Sequence, residues 1–110
     1  MRTKWHGYLF GIAVAMLMAT SAIAGDAAGK AAYDKQCASC HGADGTGNAS
    51  MAKAFGDAQL NIATPEIAGK KDDELVRIIA EGRGKMPAAG KAFSSDEQKA
   101  VVAYVKSLAK

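Results

Sequence analysis

Cys37-Ala38-Ser39-Cys40-His41 places two thiols three positions apart, with an imidazole directly after the second. That order is the attachment signature of c-type haem. Each thiol can add across a haem vinyl group, and the adjoining histidine is positioned to coordinate iron from the same side. Three bonds would hold one cofactor. A thioredoxin-like redox dithiol, half of a zinc site and a plain disulfide are the competing readings.

The surroundings separate them. A redox dithiol expects a strand before it and a helix after it, whereas residues 26–36, Asp-Ala-Ala-Gly-Lys-Ala-Ala-Tyr-Asp-Lys-Gln, are alanine-rich and helical in character. Structural zinc wants four ligands, and beyond Cys37, Cys40 and His41 the chain offers only His6. A disulfide leaves the histidine without a reason.

Residues 1–24 read as a secretory leader. Arg2 and Lys4 supply the positive start, Leu9 to Ala19 the apolar run, and Ala22-Ile23-Ala24 before Gly25 a small-x-small cleavage site. An uncleaved anchor would need nearer twenty apolar residues, more than Tyr8 to Ala24 provides. Export fits covalent haem attachment, which bacteria carry out beyond the inner membrane, so the expected home is the periplasm or an equivalent compartment such as a thylakoid lumen.

Cleavage would leave one small domain, residues 25–110, with little room for a self-sufficient apolar core and no cysteine to spare for a disulfide. The haem would then be the centre around which the helices pack, and the haem-free chain would be largely unfolded. The net charge of +3 falls with the leader: losing Arg2 and Lys4 from 14 basic residues leaves twelve against 11 acidic ones. Such balance excludes nucleic acid, whose readers carry a marked basic excess. No strong membrane binding is expected after cleavage, and the domain is expected to be a monomer.

Asp26 is a candidate cap for a first helix on which Gly29, Tyr33 and Cys37 recur every fourth residue and share a face. Glycine within a helix costs about 1 kcal/mol relative to alanine, so Gly29 hints at a close helix crossing. After the signature, residues 42–48 (Gly-Ala-Asp-Gly-Thr-Gly-Asn) form a glycine-dense turn expected to wrap past the ring. No strand precedes it and no Lys-Ser/Thr follows it, which excludes a phosphate loop. Ala49 to Phe55 reads as a short helix, and Gly56 to Pro65 as a loop whose Leu60 and Ile62 cover the ring. Asp72 is expected to cap a helix with Leu75, Val76, Ile78 and Ile79 as a core stripe, stopped by Gly82. Arg83 to Pro87 is irregular, and a last helix starts from a Ser94/Glu97 capping box and carries Val101, Tyr104, Val105 and Leu108. No segment reads as a strand; the class is all-α.

Beyond residue 24 there is no second histidine, so Met51 and Met86 are the leading candidates for the other axial position, with lysine amines a remote third. Met51, ten residues after His41, has difficulty reaching the opposite side of the ring and reads as core packing. Met86 lies in a loop between two helices, with Gly82 and Gly84 before it and Pro87 after it, a suitable place for a ligand arm or for an ordinary buried methionine.

Gly29 and Tyr33, the Cys37-Ala38-Ser39-Cys40-His41-Gly42 run, Lys85-Met86-Pro87 and the terminal Val101-Val102-Ala103-Tyr104-Val105 together resemble the small soluble monohaem class I cytochromes c of bacteria and photosynthetic organelles. The likeness spans nearly all of residues 25–110 and is weakest over Ala49 to Lys71. It implies three to five helices around one covalently bound haem c, with first and last helices crossing at Gly29 and Tyr104. It implies Cys37, Cys40, His41 and Met86 as cofactor-binding residues, His41 and Met86 as the iron ligands, and a non-enzymatic shuttle of single electrons between redox proteins that dock transiently. Family members commonly have a proline soon after the signature whose carbonyl accepts the histidine N–H; the first proline here is Pro65, so another carbonyl must serve.

Lys85 and Lys91 flank the methionine loop as candidates for a positive docking ring or as plain surface lysines, and Arg83 is a candidate propionate partner. The rival from another class is a haem sensor or peroxidase-like enzyme with an open or labile sixth position. The absence of a distal histidine, the single signature and its place near the N-terminus all count against it.

Overall fold

Residues 27–109 are described by the computed structural model; the leader expected at residues 1–24 and the helix cap expected at Asp26 lie outside them. Helix α1 covers residues 27–36 and runs straight into the cysteines. It is followed by α2 (Ala38–His41), α3 (Ala49–Phe55), α4 (Asp57–Leu60), α5 (Pro65–Gly69), α6 (Asp72–Glu81), a 3-10 turn (Ala89–Ala92) and α7 (Ser95–Ser107). No strand occurs among the described residues, where one isolated bridge joins Arg83 and Met86. The all-α class of a class I cytochrome c is therefore realised, with five helices of five residues or more among the described residues and three four-residue helical turns between them.

The first and last helices cross at Gly29. A β-carbon there would stand 2.5 Å from the Ala100 carbonyl oxygen and 3.4 Å from Tyr104 Cβ, so the α7 backbone occupies the space a side chain would need. Four residues on, Tyr33 is fully buried, its ring centroid 5.2 Å from that of Tyr104 at a tilt of 58°. Such tilted pairs contribute about 0.5–1.5 kcal/mol beyond their burial. The Tyr33 hydroxyl donates to the Gly42 carbonyl at 2.6 Å, and burial holds the phenol well above the ordinary tyrosine range. Ala32, Tyr33, Cys37, Val101 and Val105 form the buried cluster at this crossing. One side of the cysteine motif is thereby fixed against α7.

Two helix starts follow different rules. At α7 the capping box is complete: Glu97 N–H donates to Ser94 Oγ at 3.2 Å and Ser94 N–H to Glu97 Oε1 at 3.1 Å. The backbone bond from Ser94 is the main reason the Glu97 carboxyl lies below its usual range. At α6 the expected Asp72 cap is corrected: Lys71 is the N-cap without a side-chain bond, and Asp72 is the first helical residue. Its carboxylate pairs with Lys106 of α7. Asp72, Asp73 and Glu74 still face the positive end of the helix dipole.

The turn at residues 42–48 also differs from expectation. None of it lines the large cavity of the molecule. The Gly45 carbonyl instead accepts from Ile62 N–H at 2.7 Å and Ala63 N–H at 3.2 Å, while Gly47 N–H donates to the His41 carbonyl at 2.6 Å. The turn fastens the segment after α4 to the end of the cysteine motif.

Candidate haem cavity

Cys37, Cys40, His41 and Met86, separated by up to 49 positions in the chain, all line one cavity of about 920 Å³. The first three reach it because α1 ends at Cys37, the N-cap of α2, and the short α2 turn brings Cys40 and His41 round to the same side. Met86 reaches it from the opposite end of the sequence, through the loop between α6 and the 3-10 turn.

His41 is oriented by the backbone. Its Nδ1 lies 2.7 Å from the Leu60 carbonyl oxygen, nineteen residues ahead. A carbonyl only accepts, so Nδ1 carries the proton and Nε2 keeps the lone pair that a metal takes. This supplies the acceptor that the missing proline left open. No side-chain pattern could have revealed it, because the group is a main-chain carbonyl carried to the site by α4 and the Gly45 turn. Leu60 and Ile62 line the cavity, in keeping with the covering role expected of them.

Met86 is held from both sides. Arg83 N–H donates to the Met86 carbonyl at 3.1 Å and Met86 N–H to the Arg83 carbonyl at 3.0 Å, closing a two-residue turn over Gly84-Lys85. Gly84 has φ +58° at the first central position, a conformation that favours glycine. Beneath the turn, Gly82 has φ +80°, and a β-carbon there would sit 2.7 Å from the Met86 carbonyl oxygen. Met51 does not line the cavity; Arg83 and Lys85 do, whereas Lys91 is an exposed residue of the 3-10 turn.

Part of the wall is aliphatic. Leu75, Ile78 and Ile79 of α6 face Val101, Val102 and Val105 of α7 across the space. The α6 stripe is core as expected, with Leu75 buried and Ile79 packed on the α1–α7 cluster, and Leu75, Ile78 and Ile79 also line the cavity, while Val76 does not. Helical periodicity marks an inward face but does not say whether protein or cofactor fills the inside. Burial of Val102 was not anticipated either.

The donor set suits a haem. Two thiols, an imidazole with its tautomer assigned and a thioether border an apolar space near the upper end of the ~300–1,000 Å³ typical of ligand pockets. The alternative use of the cysteines fares worse. Burial, with Cys40 adding to it, pushes the Cys37 thiol up, opposite to the lowered value of a reactive dithiol. Among the described residues no cluster of three or more His, Cys, Asp or Glu side chains could hold a metal ion.

Fold and cavity together define a class I c-type cytochrome. Residues 24–105 match the family described as cytochrome C oxidase, cbb3-type, subunit III. The chain is 31% identical over 100 residues to cytochrome c6 of Rippkaea orientalis, covering 89% of this chain and 85% of that protein. It is 35% identical over 81 residues to the cbb3-type cytochrome c oxidase subunit CcoP of Azospirillum brasilense, covering 73% of this chain and 27% of that longer protein. No solved structure matches. The chain belongs to the cytochrome c family, whose haem-bearing members transfer electrons. Against CcoP it spans about a quarter of the relative's length, and no helix among the described residues is long and apolar enough to cross a membrane.

Proposed function

We propose that this chain is an exported carrier of single electrons, working in the periplasm or an equivalent compartment after removal of residues 1–24. Cys37 and Cys40 would hold one haem c through thioethers, and His41 and Met86 would supply the ligands to its iron. The observation that carries the reading is the convergence of these four side chains on one apolar cavity, with His41 Nδ1 engaged by the Leu60 carbonyl.

The bound haem supplies a one-electron couple. The protein's part is to hold that couple still. Cys37 sits in the α1–α7 cluster, so the attachment point moves only if the helix crossing moves. The Leu60 carbonyl holds the imidazole in one orientation. Met86, presented on a braced turn, would supply a thioether, a ligand type that favours the reduced state, and the valines and isoleucines of α6 and α7 would place apolar surface beside the group, which acts in the same direction. The chain's own part is to keep His41 and Met86 fixed: the first is held by the Leu60 carbonyl and the second by the paired Arg83–Met86 backbone bonds. Redox proteins of either direction dock transiently at small interfaces.

The test is spectroscopic. The ferric holoprotein is expected to show a weak band near ~695 nm that marks methionine-to-iron ligation and is lost in Met86→Ala, with a fall in midpoint potential. Ready carbon monoxide binding to the ferrous protein and no such band would replace the carrier by a ligand-binding haem protein. Mass measurement of material from the exported compartment checks the rest: one haem per chain, beginning at Gly25.

A further inference from the structure

Lys85 has a contact that a plain docking lysine would not need. Its Nζ lies 5.7 Å from the centroid of the Phe55 ring, inside the ~6 Å range of a cation–π interaction. Phe55 is the last residue of α3, where Gly56 (φ +87°) ends the helix and fixes the ring's point of departure. Both residues border the haem cavity; Lys85 is exposed and Phe55 half-buried, which places their contact at the solvent edge of the space.

The turn geometry transmits this contact to Met86. Gly84 and Lys85 are the two central residues of a turn closed by the paired Arg83 and Met86 backbone bonds, so Lys85 cannot be held without holding its neighbour. The base of the loop is braced at Gly82, under the Met86 carbonyl. Its tip has the Phe55 ring. Opening the loop to admit a foreign ligand requires the tip contact to break first.

We propose that Phe55 and Lys85 are positioning residues that clasp the Met86 loop shut over the haem cavity and keep small external ligands off the iron. The clasp rests on the reading of Met86 as an iron ligand. It gives α3 a role in the site and assigns Lys85 to the fold of the loop, where a docking role would leave it free. A clasp lowers the population of the open loop by its own strength and so weakens apparent ligand binding by the same factor.

The experiment is titration of the ferric holoprotein with imidazole, followed by loss of the ~695 nm band that reports methionine ligation. Parent, Lys85→Gln, Phe55→Leu, the double variant and Lys85→Arg are compared. Lys85→Gln is expected to bind imidazole about two- to fivefold more tightly, the factor that an exposed cation–π contact supplies. The double variant should exceed Phe55→Leu by much less than that factor, because the lysine then has no ring to hold, and Lys85→Arg should restore the parent value, since guanidinium also stacks on rings. Unchanged imidazole affinity in Lys85→Gln, or effects of the two substitutions that simply multiply, overturns the clasp. A parent without the band overturns Met86 ligation, and the clasp with it; a parent with the band and an unaltered Lys85→Gln overturns the clasp alone.

Discussion

Gly29 and Tyr33 show how much a single side chain, or its absence, decides here. With Ala100 O only 2.5 Å from where a Gly29 β-carbon would be, Gly29→Ala must push α1 from α7, and overpacking of this kind costs about 1–3 kcal/mol. A lower denaturant midpoint of the holoprotein, with an unchanged slope, is the expected result. Tyr33→Phe keeps the ring against Tyr104 but leaves the Gly42 carbonyl without its 2.6 Å donor, a loss of about 0.5–1.5 kcal/mol in the same measurement. Both residues were legible from their spacing with Cys37. The Leu60 carbonyl was not, since any residue type offers the same carbonyl and only the backbone path selects which one meets His41.

At the level of elements, α7 was the most readable. Its capping box is a local pattern of four residues, and the structure forms both of its bonds. Ser94→Ala should cost about 1 kcal/mol, read from chemical denaturation. Glu97 adds a dependence on pH. Its carboxyl lies below the usual range when folded, so its contribution is complete above the unfolded value of ~4.3 and disappears as pH falls through the lower folded value. Glu97→Ala is therefore expected to lower the denaturation midpoint at pH 6, with the gap to the parent narrowing below pH ~4. The start of α6 was misread by one residue: Asp72 has the composition of a cap, but Lys71 takes the cap position and the Asp72 carboxylate pairs with Lys106 of α7, a contact that no local pattern records. The 42–48 segment was legible as a turn, but its hydrogen bonds to Ile62 and Ala63 were not, because they join residues whose proximity depends on the whole chain.

On the scale of the molecule, a chain this small surrounds a space of about 920 Å³ bordered by its own valines, leucines and isoleucines. Val101, Val102 and Leu75 are buried by the protein itself, whereas Ile78, Ile79 and Met86 on the same border are only partly buried, and their remaining apolar surface is covered only by what occupies that space. A chain prepared without haem, or with Cys37→Ala and Cys40→Ala together, is therefore expected to lose most of its far-ultraviolet helical signal and to regain no cooperative unfolding transition.

The sequence by itself determined the chemistry: two cysteines and a histidine at fixed spacing, an alanine-rich helix before them, apolar helical stripes after them and a methionine in a glycine- and proline-bounded loop. These are properties of neighbours in the chain, and short-range geometry is enough to read them. Tertiary structure decided which stripe is wall, which carbonyl turns His41, where Asp72 finds its partner and that Phe55 reaches Lys85. Each of these joins groups that local pattern alone could not pair, and only the packing of α1 and α6 against α7 and the route of the loops between them bring those groups within reach.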